Sequence, residues 1–115
     1  MISLPTSENL TLPERVVEWV QNYVQALEEN YTKRYPNSSS PVEFDVESGR
    51  KYWKIIQNTG GVHAFVDKKT GQVYKPASWR GPAKHVRYDL RIINDRIKLH
   101  DSNYTDWAGG YLYMR

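Results

Sequence analysis

The residues best suited to chemistry lie in one stretch, Lys75-Pro76-Ala77-Ser78-Trp79-Arg80-Gly81-Pro82-Ala83-Lys84-His85-Val86-Arg87. These thirteen residues hold four formal positive charges, one histidine and one tryptophan, and no acid. A lysine offers a compact point charge, and an arginine offers a planar fork that matches phosphate oxygens in pairs. An indole presents a flat face on which a base or a guanidinium can stack. Pro76 and Pro82 stiffen both ends of the loop, which lowers the entropy lost when it grips a ligand. Gly81 lets backbone approach closely. With Pro82 read as the first residue of a helix over 82–93, the free N–H groups of the first turn would face the same loop and seat a phosphate. The pattern suits a phosphate-bearing ligand with a flat ring, a nucleotide or a nucleic acid. The candidate ligand-binding residues are Lys75, Trp79, Arg80, Lys84, His85, Arg87 and Arg91. On the helical reading Lys84, Arg87 and Arg91 form one stripe facing away from Val86, Leu90 and Ile93. The competing, purely structural reading has Trp79 as a core plug and the charges as a solvated face.

Other chemistries leave little trace. There is no phosphate loop of the Gly-rich Lys-Ser/Thr type, no GxSxG and no HExxH. The absence of cysteine removes disulfide scaffolds, thiolate metal sites and cysteine nucleophiles together. His63, His85 and His100 are far apart in sequence, and Asp101 and Asp106 do not by their spacing make an acid/base pair. The sequence therefore reads as a non-enzymatic protein with no cofactor and no metal.

At 115 residues, 39 % apolar, the chain suits one domain with one modest core. Net charge is only +3, but it is unevenly placed. Residues 1–48 hold three basic and eight acidic residues, and residues 49–115 hold thirteen basic and five acidic. Such asymmetry suits one face for an anionic partner, or acidic-on-basic packing within or between chains. No apolar run reaches membrane-spanning length and no secretory signal shows at the N-terminus, so a cytoplasmic protein without membrane contact is expected.

The elements that must position the basic loop follow from periodicity. Residues 1–10 read as a flexible arm, and 11–115 as a single α+β domain. Thr11-Leu12-Pro13-Glu14 is a helix start with a capping box and proline in the first turn. Val16, Val20, Tyr23, Val24, Leu27 and Tyr31 then share one helical face, and the helix should stop before Tyr35-Pro36. From Val42 the period changes to two. Strands are expected from 42, over 52–57, 62–66 and 72–75, with Gly71 in the left-handed region at the tight Asp67–Gly71 turn. Short turns make these neighbours antiparallel, giving a four- to five-stranded meander sheet with the N-terminal amphipathic helix packed on one face. A second short helix is expected after residue 82, since Val86, Leu90, Ile93 and Ile97 fit helical spacing; Val86, Tyr88, Leu90 and Ile92 fit a strand as well. Residues 94–110 read as irregular, and 111–113 as a closing edge strand. Arg50, Lys51 and Lys54 read as guards of a sheet edge, and Lys68 and Lys69 as solvated at a hairpin tip.

The stretch from His63 to Lys84 and the ending Gly109-Gly110-Tyr111-Leu112-Tyr113-Met114-Arg115 resemble small uncharacterised proteins of tailed bacteriophages. The resemblance covers roughly residues 50–90 and the C-terminus. It implies a phage-encoded protein in the host bacterial cytoplasm and carries over no catalytic residues. In that setting a nucleotide ligand would be, for example, an immune signal worth sequestering, an anti-defence role. The alternative is a structural or interaction protein, a virion component or an inhibitor of a host protein. Nine tyrosines against two phenylalanines favour wet, adaptable interfaces. Tyr31, Tyr35, Tyr104, Tyr111 and Tyr113 would supply them, with a homo-oligomer as one outcome.

Overall fold

A computed structural model describes residues 10–113. The expected arm at 1–10 therefore lies outside the described residues except for Leu10. Thr11 caps helix α1, Leu12–Arg34, with the full capping box: its Oγ accepts from Glu14 N–H while the Glu14 carboxylate accepts from Thr11 N–H. The Thr11 hydroxyl also donates to this carboxylate, and that bond together with the one from Thr11 N–H holds the Glu14 carboxyl below its ordinary range. The helix ends at Tyr35, ahead of Pro36. Five antiparallel strands come next, β1 Phe44–Ser48, β2 Tyr52–Gln57, β3 Val62–Asp67, β4 Gln72–Tyr74 and β5 Tyr88–Asp89, paired in chain order. A short helix α2, Ile93–Leu99, and one turn of 3-10 helix, Gly110–Leu112, close the chain.

Register assigns the faces. The pairs Val46–Ile55, Ile55–Ala64, Trp53–Val66, Val66–Val73 and Val73–Tyr88 lie on the side covered by α1. There Ile55, Ala64, Val66, Val73 and Tyr88 bury with Val16, Val20, Tyr23 and Leu27 of the helix. The pairs Glu47–Lys54, Lys54–Phe65 and Phe65–Tyr74 lie on the opposite side. Its aromatic rings meet edge to face, Tyr52 at 5.9 Å from both Phe65 and Tyr74. A register shift at Ile55/Ile56 leaves His63 as the extra residue of a bulge. The bulge turns His63 toward α1, where it is buried.

The last third departs from its expected form. No helix runs over 82–93. Ala83 N–H donates to the Lys75 carbonyl and Arg87 N–H to the Val73 carbonyl, so this segment runs back along β4. Tyr88 and Leu90 bury fully at period two, while Ile93 and Ile97, which the helical spacing had aimed inward, are about 60 % exposed (62 % and 60 %). The spacing satisfied both periods, and pairing with β4 decided between them. Helix α2 forms instead inside the stretch expected to be irregular. Residues 111–113 are not a strand: the 3-10 turn drops Tyr111 and Leu112 into the core.

Gly71 sits at φ +79°, as the hairpin reading required. A Cβ there would approach Leu90 Cβ to 3.2 Å and Val16 Cγ2 to 3.4 Å. Gly71→Ala should therefore lower unfolding stability by about 2 kcal/mol, combining left-handed backbone strain with crowding. Urea denaturation checks this, and an unchanged midpoint contradicts the turn geometry.

Candidate nucleic-acid interface

The loop from Pro76 to Pro82 is closed on itself. Pro76 and Pro82 face each other as an antiparallel bridge, and the donors come from their neighbours: Ala77 N–H to the Gly81 carbonyl at 3.0 Å and Ala83 N–H to the Lys75 carbonyl at 2.8 Å. Both prolines thus occupy positions where no N–H is needed. Trp79 and Arg80 stand at the tip, and Ser78 Oγ accepts from Arg80 N–H. Trp79 is 51 % exposed, so it is not a core plug.

The loop leans over the face opposite α1. Lys54 Nζ lies 4.1 Å from the Trp79 ring centroid and 5.9 Å from that of Phe65. Arg80 shares a shallow cleft of about 310 Å³ with Arg50, Lys51 and Lys54, floored by Tyr52 and Phe65 and with Glu47 at its rim. On the other side of Trp79 a second hollow of about 370 Å³ is lined by Gly60, Val62, Pro76 and Tyr113. Lys75 Nζ stands 4.6 Å over the Tyr113 ring. A track therefore runs from Lys75 and Tyr113, past the exposed indole, to Lys54, Arg80 and Arg50. Among the described residues the single ion pair joins Arg91 and Asp89 at 2.7 Å, so none of the track's cations is in an ion pair.

Of the seven expected site residues, Lys75, Trp79 and Arg80 lie on this track. Lys84 and His85 are exposed but line neither hollow. Arg87 is partly buried beside β4, and Arg91 is held by Asp89. The stripe Lys84, Arg87, Arg91 does not exist, because the helix carrying it does not form. For the same reason Pro82 offers no helix N-terminus to a phosphate. Lys54, Lys51 and Arg50 were missed as ligands. Lys54 is no edge guard, since β2 is flanked on both sides. Alternation could have signalled it: Lys54, Phe65 and Tyr74 share a face, and the basic loop begins directly after Tyr74.

A second polar cluster lies in the core. Tyr23 and Tyr111 hydroxyls are hydrogen-bonded, and His63 Nε2 is 2.6 Å from the Tyr111 hydroxyl. Tyr88 donates to the Tyr111 carbonyl and meets the Tyr104 hydroxyl at 2.6 Å. The adjoining cavity, about 520 Å³, is lined by Asn30, Arg34, Tyr104 and Asp106 among others. Its groups are largely engaged with the fold: Asn30 bridges the Ser102 carbonyl and Trp107 N–H, and Asp106 accepts from Ala108 N–H. This cluster ties segments together. Among the described residues no group of His, Asp and Glu could hold a metal, and no helix is long and apolar enough to cross a membrane.

Burial pushes the His63 imidazole down to about 4, against the opposing pull of the Asp106 carboxylate and of the Trp107 backbone. Burial also lowers His100. The unfolded chain thus takes up protons near pH 6.5 that the folded chain refuses until about pH 4, so stability falls as pH drops through that window. For His63 the loss is on the order of 3 kcal/mol. Thermal melts from pH 7.5 to 4 should show a falling midpoint. His63→Gln should be less stable at neutral pH but lose most of the slope, keeping the smaller part due to His100; an unaltered slope contradicts a neutral buried His63.

Comparison with known proteins adds a family and nothing about its role. No curated protein and no solved structure matches the chain. The model of a family of unknown function, DUF7717, matches residues 5–114, and the chain belongs to that family.

Proposed function

We propose that this protein is a non-enzymatic binder of phosphate-bearing ligands, and that its ligand is single-stranded nucleic acid laid along the Trp79 track. The observation that carries the reading is the exposed indole with Lys54 over its ring, next to Tyr113, which shares its hollow and carries Lys75 over its own ring, none of these cations being in an ion pair among the described residues. Four cations share the Arg80 cleft with a single acid, Glu47; they repel one another, and an incoming phosphate chain relieves that repulsion and releases its own counterions. The two hollows are separate, one lined by Trp79 and the other by Arg80, neighbours at the tip of one loop, which favours an extended strand over one enclosed nucleotide. Stacking on Trp79 supplies a contact indifferent to sequence. In the setting that the phage resemblance of the sequence implies, a host bacterial cytoplasm, a phage-encoded protein would meet such strands.

The alternative, an interaction protein working through tyrosines, is weakened. It loses Tyr111, which is buried, and Tyr31, which packs against Trp107 at 5.1 Å, but it keeps Tyr35, Tyr104 and Tyr113, which are exposed.

Fluorescence anisotropy with a labelled oligothymidylate tests the proposal. Affinity should fall steeply with salt. Trp79→Ala should weaken binding by roughly 5- to 150-fold, the equivalent of about 1–3 kcal/mol of stacking. Replacing Lys54 and Arg80 by Ala should reduce the slope of log K against log salt by about 1.4, at ~0.7 per phosphate contact. Binding insensitive to salt and to these substitutions sinks the reading. Tight binding of a mononucleotide, with no gain from a longer strand, replaces the strand by a nucleotide.

A further inference from the structure

Helix α2 presents its apolar side chains the wrong way for a monomer. Leu99 and Asp95 face inward, while Ile92, Ile93 and Ile97 are 52, 62 and 60 % exposed. Scattered exposed aliphatics are ordinary, but three on one seven-residue helix and its cap form a ridge. The charged groups of this element are Arg96 and Lys98, with Arg91 just ahead and the one acid, Asp95, buried. Across the molecule lies an apolar groove of about 200 Å³, lined by Val17, Val20 and Gln21 of α1, Val46 of β1 and Trp53 of β2. Its Val17 and Val46 are 37 and 38 % exposed. On the α1 lip the neighbouring acids are Glu14 and Glu18, while Asp45 and Glu47 alternate to the other face of the sheet. One cation, Lys68, lies 4.3 Å over the Trp53 ring.

Ridge and groove occupy opposite margins of the same layer. The groove lies at the β1–β2 margin, on one flank of α1. Helix α2 lies beyond β5 on the other flank, where Arg96 stacks on Trp19 at 4.6 Å and His100 Nε2 meets the Trp19 carbonyl at 3.0 Å. Neither surface can reach the other within one chain. A second copy brings them together, Lys98 beside the ridge meeting Glu14 and Glu18 on the α1 lip of the groove. We propose that this protein associates head to tail with copies of itself, the Ile92–Ile93–Ile97 ridge of one protomer seated in the Val17–Val46–Trp53 groove of the next. Such an interface is heterologous, so it propagates into a ring or an open chain. It uses the helix layer and leaves the Trp79 track free, so it stands or falls independently of the nucleic-acid proposal.

Sedimentation analysis of the full chain across a concentration series tests it. The wild type should grow beyond a monomer as concentration rises. Ile93→Lys with Ile97→Lys spoils the ridge alone, and Val17→Lys with Val46→Lys spoils the groove alone. All four positions are surface ones, and circular dichroism checks that each variant is folded. Each variant by itself should be monomeric. An equimolar mixture should form a one-to-one dimer that grows no further, because it contains a single intact ridge–groove pair. A wild type that stays monomeric, a groove variant that still assembles through its ridge, or a mixture that stays monomeric overturns the proposal.

Discussion

The hydroxyl of Tyr111 is the junction on which the architecture depends. It meets the Tyr23 hydroxyl from α1 and His63 Nε2 from β3, in a largely buried region. Buried polar groups are costly when unmet and strong when fully paired. The cluster therefore admits one arrangement of three segments far apart in sequence. Burial raises the Tyr23 and Tyr111 hydroxyls well above their ordinary range and lowers His63, so all three are neutral at physiological pH. An uncharged network needs no counter-ion and can sit inside an apolar core. The bulge in β3 makes this possible, because regular alternation would have turned His63 to the other face of the sheet.

Anchoring Tyr111 also places the residues next to it. The 3-10 turn of Gly110–Leu112 begins after Gly109, at φ +87° and packed against the His63 ring. The turn delivers Tyr113 to the rim of the hollow beside Trp79, where Lys75 stands over its ring. The core network and the candidate interface are thus consecutive along the chain. One end of the track is set by the C-terminal turn, and the other by the register that places Lys54 opposite Phe65. The proline bridge between them holds Trp79 outward without help from packing around the indole.

Charge is unevenly distributed over the fold. The acidic residues concentrate on α1 and β1, and the basic ones on the turn into β2, the 76–82 loop and α2. Among the described residues the Arg80 cleft has no ion pair, whereas Arg91 finds Asp89. The pattern differs from a uniformly solvated surface, where opposite charges intersperse.

Much of the first two-thirds of the chain was legible from residue order. The capping box at Thr11, the helical face from Val16 to Leu27, the change of period after Val42 and the turn at Gly71 are local signals, each satisfied within a few residues. The basic loop was legible as a composition, and its Trp79 and Arg80 are exposed, as a candidate binding loop requires. What the order could not decide was everything after Pro82. Val86, Leu90, Ile93 and Ile97 fit a helix, and Val86, Tyr88, Leu90 and Ile92 fit a strand. Only the free edge of β4, with its Val73 and Lys75 carbonyls open to a partner, chose between them. That choice moved Lys84 and Arg91 off the site and turned Ile93 and Ile97 to the surface. It let Lys54, far earlier in the chain, take their place. Local chemistry determines where a helix begins or a turn closes, because those bonds form between neighbours. Which cations share a face depends on strand pairing and a bulge, which only the assembled sheet supplies.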